Sequence, residues 1–175
     1  KILYTIHSDF DDIEKKIIGD LGCGCGTFLA GCSALRASHG IGFDIDEDAL
    51  AVSATNLRDL ELDPSTSLLR CDATTSFLTP NCKLDVVITN PPFGTKNNQG
   101  IDMKFVKFAS SIAREAIYSL HKTSTREFIM KKACQELKLD AEIIAELKFD
   151  LPKTMKFHSR NVVDIDVDLI RFVHI

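Results

Sequence analysis

Two short stretches hold residues whose types and spacing can do chemistry: Asp20-Leu21-Gly22-Cys23-Gly24-Cys25-Gly26 and Asn90-Pro91-Pro92-Phe93. In the first, glycines at alternate positions let the backbone turn sharply and approach a ligand closely. A nicotinamide-dinucleotide fingerprint needs its third glycine one residue later, where Thr27 stands, so the G-x-G alone is weak evidence. Its neighbours add specificity. Asp44 ends an apolar run 18 residues after Gly26, where a carboxylate can accept both hydroxyls of a ribose. Beyond a further apolar run, Asp72 offers a carboxylate to an exocyclic amine, and Ala73 offers its N–H to a ring nitrogen.

In the second stretch an apolar run, "VIT", ends in a polar residue and two prolines that cannot donate backbone hydrogen bonds. The Asn90 side-chain oxygen and the Pro91 carbonyl can accept both N–H bonds of an amine on a planar ring. Fixing both hydrogens shifts the nitrogen lone pair out of the ring plane, so such a site works by positioning and electrostatics. Pro91 and Pro92 stiffen the carbonyls, and Phe93 supplies a face for stacking a flipped base, typically worth ~1–3 kcal/mol. A proline-stabilised β-turn is the plain structural alternative. For Asp44 the alternative is a helix N-cap, a role that Asp46 already suits.

The elements that must position these residues alternate between apolar runs and helical patterns, as βαβ units of a mainly parallel sheet do. Residues 16–21, 39–45, 67–71, 84–89, 116–120, 141–149 and 162–173 read as strands. Residues 27–38, 46–60 and 102–114 read as helices, and Ser124-Thr125-Arg126-Glu127 reads as a capping box opening a helix through Leu137. The last strand alternates apolar residues with Asp164, Asp166 and Asp168, which predicts one wet face. One domain over residues 1–175 is expected, with no repeat or internal boundary.

Composition narrows the classes. No apolar run reaches the length of a membrane span. The six cysteines (23, 25, 32, 71, 82 and 134) form no disulfide framework and no C-x-x-C pair, which favours a reducing compartment. Cys23 and Cys25 have poor zinc spacing and read as small residues in a tight loop, so no metal is expected. Residues 1–90 carry 7 Lys/Arg against 14 Asp/Glu, and residues 91–175 carry 14 against 11. That asymmetry suits a nucleic-acid face on the second half, with solvated helix surfaces as the alternative. Lys153, Lys156, His158 and Arg160 surround Phe157 in a candidate phosphate-contact loop, and Lys96, His121 and Lys122 are further candidates. His121 can equally cap a strand end.

The glycine loop, the acid after strand two and the acid after strand three resemble the S-adenosylmethionine site of class I methyltransferases. The N-P-P-F corner resembles the signature of those that act on a planar nitrogen in adenine, cytosine, guanine or glutamine. "DLGCGCG", "GFDIDEDAL", "NPPFGTKNNQG", "YSLHKTSTRE", "IIAELKFDLP" and "DIDVDLIRF", in this order, are similar to the methyltransferase-like protein five family of eukaryotic enzymes. The resemblance implies a Rossmann-like α/β fold with seven strands, mostly parallel with an antiparallel last strand, and helices on both faces. It implies N6-methyladenosine formation in small-subunit (18S) ribosomal RNA, in the nucleus or nucleolus and cytoplasm, with S-adenosylmethionine bound by Asp20, Gly22, Cys23, Gly24, Cys25, Gly26, Thr27, Asp44, Ile45, Asp72, Ala73 and Asn90. Asn90 to Phe93 take the target adenine. A segment of the family that closes over the cofactor is expected ahead of Lys1 and is absent from this chain. The usual strand order of such folds makes Ser67-Leu68-Leu69-Arg70-Cys71 an edge strand, and the resemblance supplies its partner, a small zinc-binding activator subunit in a heterodimer. A protein glutamine-N5 methyltransferase and a non-catalytic RNA-binding subunit of the same fold are the competing readings. Phe93 in place of tyrosine and the basic second half weigh against the first; the intact N-P-P-F and glycine loop weigh against the second.

Charge reversal at Lys153, Lys156 and Arg160 together is expected to weaken RNA association at low salt. It should also flatten the dependence of log affinity on log salt by about 2, since each lost phosphate contact removes a share of counterion release. Filter binding over a salt series measures both, and an unchanged slope sends the RNA path to another face.

Overall fold

A computed structural model of the chain describes residues 1–72, 74–75, 84–92, 100–152 and 162–175, with side chains for all of these except 150–152 and 162–164. The elements are α1 (Ile2–Phe10), β1 (Ile17–Leu21), α2 (Thr27–Ala34), β2 (His39–Asp44), α3 (Glu47–Asp59), β3 (Thr66–Arg70), β4 (Leu84–Thr89), α4 (Ile101–Ile112), β5 (Ala113–Lys122), α5 (Arg126–Leu137), β6 (Leu139–Pro152) and β7 (Val162–His174). They build one seven-stranded sheet in the order β3-β2-β1-β4-β5-β7-β6. Strands β1 to β5 pair in parallel, while β7 runs antiparallel between β5 and β6. The expected Rossmann-like architecture is therefore the observed one, and β3 is an edge.

Both sheet faces are covered. On one, Leu21, Phe43 and Val87 pack with Phe105, Val106 and Phe108 of α4 and Ile129 of α5. On the other, Ile18, Val86 and Ile88 pack with Ile6 of α1 and Cys32 of α2. Burying each such side chain contributes roughly 1.5–3 kcal/mol, which explains why the central strands read as continuous apolar runs. Because β1 and β4 are neighbours and their crossovers leave in opposite directions, a crevice opens at their C-terminal ends.

Several expectations need correction. Helix α1 went unread: Ile2, Leu3, Ile6 and Phe10 give it an apolar face, yet Lys1 makes no side-chain cap that would announce it. Helix α2 stops at Ala34, four residues early, because Leu35 and Arg36 leave helical geometry, Arg36 with a φ of 64°. The capping box does not form. Residues Thr123–Thr125 make a 3-10 turn, and the helix N-cap is Thr125, whose side chain does not cap. Its hydroxyl donates back to the Lys122 carbonyl, and that of Thr123 donates to Asp168.

Asp168 overturns the wet-face expectation for the last strand. It is fully buried, and its carboxylate accepts from Arg126 Nε and Nη2, both at 2.7 Å, and from Thr123 Oγ1 at 2.8 Å. Asp166 alone of the three keeps a described, exposed side chain. The alternation in the sequence is genuine, but a partner on α5 admits the buried charge. A second clasp joins distant parts of the chain: Tyr118 OH donates to Asp12 Oδ2 at 2.6 Å, and the Arg171 guanidinium lies against both and over the Phe10 ring at 4.7 Å.

The hydrogen bonds from Arg126 lead the causes that hold the Asp168 carboxyl below its ordinary value; burial opposes them and Thr123 assists. A carboxyl depressed in the folded state stabilises the fold above its unfolded pKa, and that contribution disappears as pH falls through the folded value. Arg126→Met is expected to destabilise the fold at neutral pH, because it strands the buried Asp168 charge. The deficit should shrink toward acid as Asp168 protonates. Urea unfolding of both proteins between neutral pH and roughly pH 3, bracketing the ordinary carboxylate pKa, measures it; a deficit independent of pH contradicts this account.

Candidate active site

The glycine loop leaves the end of β1 with the N–H groups of Gly22 and Cys23 both donating to the Phe43 carbonyl, at 2.8 and 3.0 Å. Gly22, Gly24 and Gly26 have φ of 74°, 52° and 84°, a region that side-chain-bearing residues avoid. At Gly26 a Cβ would also run into Ser53 Oγ of α3, so the loop and that helix fit only with glycine there. Asp44 closes the arrangement. Its Oδ2 accepts from the Gly24 N–H at 2.8 Å and its Oδ1 from the Asp46 N–H at 3.0 Å. Asp46 caps α3, as expected, by accepting from the N–H groups of Asp48 and Ala49.

Gly22, Asp44, Ile45, Asp72 and Pro92 line one crevice of about 280 Å³, together with Cys71, Thr74, Ile101 and Phe105. The hydroxyl and N–H of Thr74 both donate to Asp72 Oδ1, at 2.7 and 2.8 Å, and these bonds, helped by the Lys104 charge, hold the Asp72 carboxyl below its ordinary value. Both acids of the crevice are thus oriented acceptors. Ile45 stands 63% exposed, as the apolar wall of an open site. Burial pushes the thiols of Cys23 to about 12 and of Cys71 to about 11, so neither offers a thiolate at neutral pH.

Asn90 follows Thr89, the last residue of β4, whose buried hydroxyl donates to the Leu21 carbonyl at 2.8 Å. That bond fixes the end of β4 to the end of β1, where the glycine loop begins. Asn90 is exposed, Pro91 is buried and Pro92 is exposed on the crevice. The chain therefore leaves the ladder at Asn90 and reaches the crevice at Pro92, two residues on.

S-adenosylmethionine fits these residues. Asp20 is buried, and neither carboxylate oxygen has a hydrogen-bond partner among the described residues. Burial first and the Asp44 charge second push its pKa up to about 8. A cation brought to the loop favours the charged form of this buried acid through space, whereas an anionic pyrophosphate there disfavours it further. Among the described residues no cluster of His, Cys, Asp and Glu could hold a metal ion.

The other expected residues distribute unevenly. Cys25, Gly26 and Thr27 line a neighbouring concavity with Asn56, whose amide donates to the Cys25 carbonyl at 2.9 Å, rather than the crevice that holds Asp44 and Asp72. Cys23 is buried beneath the loop. Cys71 lies past the end of the edge strand, which spans Thr66–Arg70; its N–H donates to the Asp44 carbonyl and it lines the crevice. His121 is only 1% exposed inside β5 and cannot touch RNA, which corrects that expectation. Lys122, the last residue of β5, is half-buried. Ala73, Phe93, Lys96, Lys153, Lys156, His158 and Arg160 lie outside the described residues. Sequence reading missed Thr74, Ile101 and Phe105. The spacing of Phe105 marked it only as an apolar position on α4, and its contact with Gly22 needs the fold.

Residues 3–144 match the model of the methyltransferase small domain family. The chain is 53% identical to zebrafish (Danio rerio) rRNA N(6)-adenosine-methyltransferase METTL5 over 98% of its own length and 82% of that protein. It is 42% identical to the Drosophila melanogaster enzyme Mettl5, covering 97% and 79% of the two chains. Its fold superposes on the crystal structure of the Pyrococcus horikoshii protein PH1948 with a TM-score of 0.85 at 29% identity, over 99% of this chain and 81% of that one. By its family model and its relatives the chain belongs to the methyltransferase small domain family and, within it, to the METTL5 methyltransferases.

Proposed function

We propose that the chain transfers a methyl group from S-adenosylmethionine to N6 of an adenosine in small-subunit ribosomal RNA. The observation that carries this reading is Asn90 and Pro91 presented at the end of β4, with Pro92 on a crevice lined by the acids Asp44 and Asp72. The relatives' names, which specify adenosine N6 in ribosomal RNA, support the choice of target.

In this reading Asp44 accepts the ribose hydroxyls with the lone pairs that its loop bonds leave free, and Asp72 accepts an exocyclic amine. The cofactor supplies an electrophilic methyl group. The remaining work falls to the chain. Asn90 and Pro91 accept both N–H bonds of the target amine and release its lone pair from conjugation. As positive charge grows on the nitrogen, the same two acceptors stabilise it until a proton leaves to water.

The edge strand supports a partner. Leu69 is 45% exposed on β3, and Val52 and Leu60, on and just past the neighbouring α3, are also more than half exposed. An unpaired strand edge with apolar side chains suits strand addition, so a small zinc-binding activator subunit is proposed to extend the sheet at Thr66–Arg70.

Two substitutions separate the two halves of the site. Asn90→Ala is expected to lower methyl transfer by about 10²–10³-fold, by analogy with losing a preorganised oxyanion-hole donor, with cofactor affinity nearly unchanged. Asp44→Ala is expected to weaken cofactor binding by roughly 30- to 100-fold, since it removes charge-assisted bonds to ligand and loop alike. Calorimetry and single-turnover methylation of an adenosine-containing ribosomal RNA fragment read both. An Asn90→Ala enzyme keeping more than about a tenth of the rate, against that expectation, removes this mechanism. For the partner, Leu69→Pro deletes a ladder donor and is expected to reduce co-purification with the activator; full recovery of the complex places its docking elsewhere.

A further inference from the structure

Three residues of the glycine loop expected at the cofactor line a concavity other than the crevice: Cys25, Gly26 and Thr27. What meets them there is the face of α3 that carries Ser53, Asn56 and Leu57, neighbours at helical spacing. A Cβ on Gly26 would collide with Ser53 Oγ, and the Asn56 amide donates to the Cys25 carbonyl at 2.9 Å. Because a carbonyl only accepts, the nitrogen of that amide is the atom that faces it.

The bonds of the loop show what this contact adds. The peptide group joining Cys23 to Gly24 is held at both ends: its carbonyl accepts from the Gly26 N–H at 2.9 Å, and its N–H donates to Asp44 Oδ2 at 2.8 Å. The group joining Cys25 to Gly26 is also held at both ends, by that Gly26 N–H bond and by Asn56. Between them lies the Gly24–Cys25 peptide group, whose carbonyl and N–H have no hydrogen-bond partner among the described residues. Free polar backbone in such a loop is open to a ligand. Its orientation must come from elsewhere, since Gly24 and Gly26, with φ of 52° and 84°, tolerate many others.

Two side chains set that orientation, one on each flank. Asp44 stands at the end of β2 and Asn56 on α3, and the two are tied together, because the N–H of Asp46, the cap of α3, donates to Asp44 Oδ1. Loop and helix therefore close a ring: Gly24 to Asp44, Asp44 to Asp46, along α3 to Asn56, and back to Cys25. Sequence reading assigned Asp44 a role and left Asn56 as an ordinary polar position on a helix.

We propose that Asn56 is a positioning residue for cofactor binding: by holding the Cys25 carbonyl it keeps, together with Asp44, the Gly24–Cys25 peptide group in the one orientation that S-adenosylmethionine meets. The proposal rests on the cofactor reading given above and adds a residue that does not line the crevice.

The test removes the donor without removing the bulk. Asn56→Leu keeps the size and loses the bond; Asn56→Gln keeps a donor on a longer arm. Calorimetry with S-adenosylmethionine, single-turnover methylation of the ribosomal RNA fragment at saturating cofactor and melting of the free protein are measured for both, for Asp44→Ala and for the double variant Asn56→Leu/Asp44→Ala. Asn56→Leu is expected to weaken cofactor affinity about 3- to 10-fold, the scale of one lost hydrogen bond. The rate at saturating cofactor and the melting temperature should stay nearly unchanged, since Asn56 is exposed. Asn56→Gln should bind more tightly than Asn56→Leu. In Asp44→Ala the ring is already open, so adding Asn56→Leu should cost less than it does alone. Full affinity in Asn56→Leu, an Asn56→Gln protein that binds no better than Asn56→Leu, or losses that multiply in the double variant each overturn the proposal. So does a loss of affinity in Asn56→Leu that comes with a large fall in melting temperature, the mark of a role in α3 packing alone. Full affinity in Asn56→Leu beside weakened binding in Asp44→Ala removes only this inference, whereas full affinity in Asp44→Ala removes the reading beneath it.

Discussion

The carboxylate of Asp44 is the constraint on which the site depends. A loop with three glycines at positive φ would be one conformation among many in an isolated chain. Here Asp44 takes one N–H from the loop and one from the start of α3, so strand end, loop and helix entry share a single acceptor. The Cys71 N–H, bonded to the Asp44 carbonyl, brings the end of β3 to the same point. Three consecutive crossovers thereby converge within hydrogen-bond reach, and the crevice is the space they enclose. The acid that orients the loop also lines the crevice. The shape of the crevice and local folding are for that reason coupled at this residue.

What the sequence revealed and what it concealed divide along the same physical line. Gly22, Gly24, Gly26, Asp44 and Asp72 are legible because backbone geometry and a helix entry demand particular residue types at particular intervals. The N-P-P corner is legible because prolines exclude a continuing strand. Helix α1 and the start of α5 are not, since side-chain caps that normally advertise such ends are missing there. Asp168 and His121 were misread for a deeper reason. Alternation along β7 speaks of one strand, whereas burial of a charge is decided by Arg126, 42 residues away. No local pattern carries that information, and only the placement of α5 against the sheet supplies it.

The same face of the sheet holds a file of polar side chains in an otherwise apolar interior: Thr89, Ser119, His121, Asp168 and, from α4, Asp102. All lie at the C-terminal ends of β4 and β5 or beside them, where chains leave the sheet for the site. Apolar packing on that face, with Phe105, Phe108 and Phe172, is tolerant of small shifts. Directional contacts are not. Polar groups in this file therefore give the site a register that hydrophobic packing alone leaves soft, at a cost in desolvation that an apolar core avoids.

The place of β7 has a consequence for synthesis. Among the described strands β7 comes last in sequence, yet it lies not at the sheet's edge but between β5 and β6, and it carries Arg171, which clasps Asp12 and Tyr118. Until residues near position 172 have emerged from the ribosome, β6 has no neighbour, β5 has an open side and Asp12 lacks its cation. The domain therefore completes its sheet only once β7 has been made. A message that ends a few codons short of β7 yields not a slightly trimmed enzyme but one with β6 unpaired, an open edge on β5 and a buried acid without its cation, the kind of product that cells clear rather than use.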